Sequence, residues 1–172
     1  SVAKASKKES PTLSDIFVIQ KGNQHLTEAT IYKYITQNNG FPVYGGGAKA
    51  PRFRVTKDLL RATGEKATLF EGPAIIVAMD GSSGSVQVIE SGKFYCNHHG
   101  AVRKPKKTTT NLWCIAQLIE VRLRSLASNQ GSSATLTSAQ LSNLKVEVPN
   151  SKRITEIGDS RKVLTAIYKL VS

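Results

Sequence analysis

Cys96, His98 and His99 fall within four residues of one another, and Cys114 lies further along the chain. Two thiols and two imidazoles are the donor set of a structural zinc site. The C-x-H-H…C spacing matches no structural zinc pattern, however, and adjacent histidines on a strand seldom aim at one metal. A cysteine beside a histidine also suggests a nucleophile and its base, but no third residue is placed to orient the base. Gly81-Ser82-Ser83-Gly84-Ser85 follows an apolar run, as phosphate loops do. It lacks the lysine of G-x-x-x-x-G-K-[ST], and the next run suits a strand, not a helix whose amino end would hold phosphate. A tight turn between strands is the plainer reading. Asp80 has no carboxylate partner nearby in sequence, and no H-E-x-x-H pattern occurs. The sequence therefore predicts no catalytic residues, no metal and no cofactor.

The charge points elsewhere. Lys+Arg number 24 against 12 Asp+Glu, a formal net charge of +12. Such an excess attracts a polyanion, either nucleic acid or an acidic membrane surface. Much of it lies in two stretches: Lys49, Arg52, Arg54, Lys57, Arg61 and Lys66, then Arg103, Lys104, Lys106 and Lys107. The first reads as mostly loop and the second as a loop. Guanidinium groups at Arg52, Arg54 and Arg103 would form paired bonds to guanine in a major groove. Lys49, Lys57, Lys104, Lys106 and Lys107, with the hydroxyls of Ser82 and Ser83, would grip phosphate. Gly45, Gly46 and Gly47 would let a loop lie close to a nucleic-acid backbone. Two solvated basic loops without special use are the bland alternative. No helix-turn-helix pattern is found, and only Phe94 and Tyr95 offer the stacking aromatics of an RNA-reading sheet.

A chain of 172 residues suits one compact domain, and its 40% hydrophobic content argues against wholesale disorder. Two cysteines are too few for a disulfide framework, so a reduced, cytoplasmic protein is expected. The longest apolar run, Ala74 to Met79, is far short of a membrane span. Residues 1–11 read as a flexible basic arm, 12–149 as the recognition domain, and 150–172 as a spacer or dimerisation helix. A short turn at Leu13 leads into a strand ended by Lys21-Gly22-Asn23. Strands are expected at 67–71, 74–79, 85–90 and 94–96, the second buried on both faces because it lacks alternation. Leu112, Ile115, Ala116, Ile119, Leu123 and Leu126 recur at helical spacing. Thr137 with Gln140 resembles a capping box, and Lys145 to Val148 alternates like a strand stopped by Pro149. Ile154, Ile157, Leu164, Tyr168 and Val171 form a heptad seam interrupted at Arg161, the mark of a helix seeking another helix.

Taken together, several segments resemble the target recognition domain of type I restriction-modification specificity subunits. They are Leu13-Ser14-Asp15-Ile16-Phe17 with Lys21-Gly22, Phe41 to Gly47, Ile75 to Gly84, and Asn97-His98-His99-Gly100-Ala101. Thr135-Leu136 and Leu141 to Val146 followed by Pro149 complete the series. The resemblance implies an α+β fold, a mixed β-sheet domain with a C-terminal coiled-coil-type helix. It implies double-stranded DNA as ligand and an adenine methyltransferase subunit as partner, with a restriction/translocase subunit in the full complex. It also implies a domain that reads sequence without catalysing. A complete member carries two such domains and two helices, whereas this chain has one of each. It is then either a half-subunit that forms a homodimer through its terminal helix, or a domain excised from a single-chain restriction–methyltransferase. An RNA-binding module is the rival reading of the same charge.

Overall fold

The structure is a computed structural model, and it describes residues 9–24, 26–45, 50–59, 67–80, 83–128 and 135–171. Its helices are α1 (Leu13–Ile16), α2 (Glu28–Ile31), α3 (Leu112–Ser128), α4 (Ser138–Ser142) and α5 (Ser151–Val171). Its strands are β1 (Phe17–Lys21), β2 (Ile35–Thr36), β3 (Phe41–Tyr44), β4 (Phe53–Val55), β5 (Phe70–Glu71), β6 (Ala74–Ala78), β7 (Val86–Ile89), β8 (Lys93–Cys96) and β9 (Gly100–Pro105). They make an antiparallel sheet ordered β1-β9-β6-β7 and a mixed sheet ordered β2-β4-β3-β8-β5, in which β3 and β8 run parallel. The fold is α+β.

The two sheets pack face to face with helices outside. Ala74 and Ile76 of β6 meet Phe94 and Cys96 of β8 between the sheets, joined by Val102 and Ile89. Ile75 and Val77, one residue out of phase, face Leu112, Ile115, Ala116, Ile119 and Leu123 of α3. Every residue of β6 is therefore buried, and the absence of alternation had this meaning. A third cluster, including Val43, Val55, Tyr95 and Ile31, covers the far face of the mixed sheet.

Local chemistry sets the ends. Asp15 accepts hydrogen bonds from the Thr12 amide at 2.8 Å and its hydroxyl at 2.9 Å, opening α1. Those bonds from Thr12 hold the Asp15 carboxyl below the usual carboxylate range. Thr137 and Gln140 cap α4 reciprocally, at 3.1 and 2.9 Å. Past Pro149, the Asn150 side chain accepts the Arg153 amide at 3.0 Å and starts α5.

One expectation fails here. Lys145 to Val148 is not a strand but a single bridge between Lys145 and Thr12. The neighbouring Pro11 can accept from Val146 but has no N–H to return, so the ladder stops. The first basic stretch, expected to be mostly loop, holds one short strand. Phe53–Val55 pairs with β3 on one side and β2 on the other, drawn in by the burial of Val55. Of the basic arm, residues 1–8 lie outside the described residues. Glu9 pairs with Lys145.

Arg161, the break in the heptad seam, turns inward. It pairs with Glu120, a buried carboxylate that also meets Arg124 at 2.6 Å. It donates further to the Gln117 side chain and the Val86 carbonyl, each at 2.9 Å. Ile154 and Ile157 are half-buried, while Leu164, Tyr168 and Val171 are exposed. The seam is thus split between the domain and solvent. Arg161→Ala would leave buried Glu120 with Arg124 alone and strip three bonds from α5, so it should destabilise the chain by up to ~3 kcal/mol. The double change Arg161→Ala with Glu120→Ala should cost clearly less than the two single losses added, as read by denaturant unfolding.

Candidate nucleic-acid interface

Strands β3, β8 and β6 finish, and β4, β9 and β7 begin, at one end of the paired sheets. The β8–β9 turn, Asn97 to His99, is the joint between the sheets. The Asn97 amide donates to the Tyr44 carbonyl at 3.0 Å, and the Asn23 amide to that of Cys96 at 2.8 Å. Backbones lie so close here that a Cβ on Gly22 would fall 1.9 Å from the Asn97 carbonyl oxygen. A Cβ on Gly45 would fall 3.1 Å from Arg52 Cδ and 3.2 Å from Asn97 Nδ2. Glycine at these positions lets the loops converge.

This end carries the chemistry. Arg52 is exposed and its amide is pinned to the Val43 carbonyl at 2.9 Å. His98 is exposed beside it, and Arg52, His98, His99 and Asn97 line a cleft of about 120 Å³ with Thr27 and Glu28. The register that sets Ala78 opposite Gly100 also brings Asp80 to His99, whose Nδ1 lies 2.8 Å from the carboxylate. Nineteen residues separate them in sequence, so no local pattern betrays the pair. In sequence the histidines were visible as components of a metal or nucleophile site and as part of a family-like segment, not as partners of Asp80. Arg54 and Lys57 are exposed further along the mixed sheet, and the Arg54 guanidinium donates to the Gly40 carbonyl at 3.0 Å. Gly46, Gly47, Lys49 and Ser82 lie outside the described residues.

The second basic stretch does not join this surface. Arg103 and Lys104 belong to β9, not to a loop. That strand leads away from the joint, so Lys106 lies roughly 20 Å from Gly100 along it. There Lys106 donates to the Ser14 carbonyl at 2.6 Å, Lys104 donates to the Glu71 carbonyl at 3.2 Å, and Lys107 is exposed. Arg103 is corrected outright: it is 1% exposed and sits opposite Ile75 on the helix-facing side. One nitrogen reaches the Val102 carbonyl at 3.1 Å, while Nε and the other terminal nitrogen have no partner among the described residues. Burial lowers its pKa to about 10, and from there it cannot reach a base edge. Ser83 is also buried, its hydroxyl donating to the Met79 carbonyl at 3.2 Å within the turn.

The thiols face inward, away from the imidazoles. Cys96 lies between the sheets, where burial pushes its thiol up to about 12, and Cys114 is raised by burial against α3's neighbours. Among the described residues, no cluster of three or more His, Cys, Asp or Glu side chains is placed to hold a metal. None of the described helices is long and apolar enough to cross a membrane. What the joint end offers is hydrogen-bond donors and acceptors on a fixed backbone, under a positive net charge.

A family model described as the type I restriction modification DNA specificity domain matches residues 6–168. The chain belongs to this family. Among solved structures, it is similar to the S subunit of a type I restriction-modification system from M. genitalium, at 15% identity and a TM-score of 0.65 over 96% of this chain. It is also similar to the HsdS subunit of Thermoanaerobacter tengcongensis, at 16% identity and a TM-score of 0.58 over 98%. A third structure, from a study of assembly and conformational transition in the type I R-M system, gives 15% and 0.62 over 98%. These likenesses carry the fold. The chain spans only 41%, 42% and 43% of those three proteins. No curated protein matches it.

Two outcomes follow for the specificity domain's interior. A buried guanidinium with two unpartnered nitrogens costs stability, so Arg103→Met should unfold at the same or higher denaturant concentration than the parent. A clear loss of stability would contradict this. At pH 8 neither thiol of the folded chain should react with a disulfide reagent over minutes, whereas both should react in denaturant.

Proposed function

We propose that this specificity domain reads a short sequence in double-stranded DNA with the joint end of its sheets, and has no catalysis of its own. The observation that carries this is the match of nearly the whole chain to a DNA specificity family. The charge of +12 supports it, because neutralising phosphates is the sequence-independent part of DNA affinity. In this reading Arg52 and the Asn97–His99 turn address base edges. Arg54, Lys57 and Lys49 hold the flanking backbone, with Gly45, Gly46 and Gly47 giving close approach. Lys104, Lys106 and Lys107 serve a separate surface at the opposite end, near the root of α5.

We further propose that α5 delivers the bound site to an adenine methyltransferase subunit, and through it to a restriction/translocase subunit, in the cytoplasm. Leu164, Tyr168 and Val171 supply the apolar contact, and the groove of about 730 Å³ between α3 and α5 lies alongside. In this reading α5 pairs with a counterpart helix, of a second copy or of another domain.

Selection of duplexes from a random pool tests the reading. The chain, alone or with its methyltransferase, should enrich one short sequence. Arg52→Ala should relax one position of it at a cost of about 1–3 kcal/mol. Lys57→Ala should weaken all sequences alike and reduce the salt slope by about one unit. Equal binding of selected and scrambled duplexes would end the proposal, and preference for structured RNA would favour its rival.

A further inference from the structure

The geometry points to His99 as a base-reading residue whose hydrogen-bonding sense is fixed by Asp80. This rests on the DNA-reading function proposed above and assigns one position of the readout to one imidazole.

Nδ1 of His99 lies 2.8 Å from both carboxylate oxygens of Asp80. An ionised carboxylate only accepts hydrogen bonds, so Nδ1 carries the proton. Nε2 is then defined: in the neutral ring it holds a lone pair and accepts, and in the protonated ring it donates. Among the described residues no group is bonded to Nε2, and 41% of the His99 side chain is open to solvent. Neutral His99 thus suits the exocyclic amino group of adenine or cytosine, and protonated His99 suits O6 or N7 of guanine. Without Asp80 both tautomers are available and the sense is lost.

The backbone that carries the ring is held from both sheets. The His99 amide donates to Asn97 Oδ1 at 3.1 Å, and its carbonyl accepts the Met79 amide at 2.9 Å. The Gly100 amide donates to the Asn97 carbonyl at 3.2 Å, closing the turn. A reader on so fixed a turn loses little freedom on binding. The charged and polar groups around it are Asp80 at the end of β6, His98 on the same turn with its ring centroid 3.8 Å away and tilted by 41°, Arg52 before β4, and Glu28 in α2.

The experiment is duplex selection from a random pool by the full chain, by His99→Phe and by Asp80→Asn. The parent should select one base at one position, either an amino-bearing base or guanine, because Nε2 has a single hydrogen-bonding sense while Asp80 holds Nδ1. His99→Phe, which keeps a ring against His98, should reduce discrimination at that position about tenfold and leave the others unchanged. Asp80→Asn should blur the same position and no other. If the parent selects a sequence that His99→Phe and Asp80→Asn leave intact, the assignment is wrong. It is equally wrong if His99→Phe weakens all sequences alike, which marks a phosphate contact. A parent that selects nothing removes the DNA-reading function itself along with this assignment.

Discussion

The bonds around Asn97 are the constraint on which the rest of the molecule depends. One chain reversal, from β8 to β9, passes from the mixed sheet to the antiparallel one. The Asn97 amide holds the end of β3, Asn23 holds the end of β8, and the His99 carbonyl holds the end of β6. The Asn23 side chain donates to both the Cys96 and Thr68 carbonyls at 3.0 Å, extending the knot to a further segment. Buried amides left unpaired would each cost about 1–3 kcal/mol, so these bonds are obligatory where four backbones converge. Arg52, His98, His99 and Asp80 inherit fixed positions from that convergence.

The core explains why the joint is stiff. Phe94, Cys96, Ile76 and Val102 fill the space between the sheets, and α3 closes the other face with Ile115, Ile119 and Leu123. Fully burying a side chain of this size stabilises by about 1.5–3 kcal/mol, so slipping either sheet by one residue would expose several such groups at once. Arg161 extends the same logic to α5. Its pair with Glu120 ties the middle of α5 to the domain, while Leu164 and Val171 beyond it are exposed.

Where chemistry is local in sequence, the residues announced their structure. The Thr137–Gln140 cap, the stripe of α3 and the unbroken apolar run of β6 were all legible because each depends on neighbours within a turn or a strand. Arg103 was misread because a basic stretch looks solvated whichever face it takes, and only the β9 register puts its side chain under α3. Phe53–Val55 hid among charges because its strand partners are not in its own segment. The Asp80–His99 contact depends on pairing between β6 and β9 and had no sequence signal at all. The family resemblance was carried by segment order, and the fold likeness at 15–16% identity agrees with it.

The central claim is that DNA meets the joint end of the sheets and not the far end of β9. Amide hydrogen exchange of the chain, free and bound to its selected duplex, addresses this directly. Slowed exchange is expected at Arg52, Phe53 and Asn97 to Gly100, with Lys104 to Thr110 unchanged. Protection confined to Lys104 to Thr110, with the Asn97–Gly100 turn exchanging as in the free chain, would contradict it.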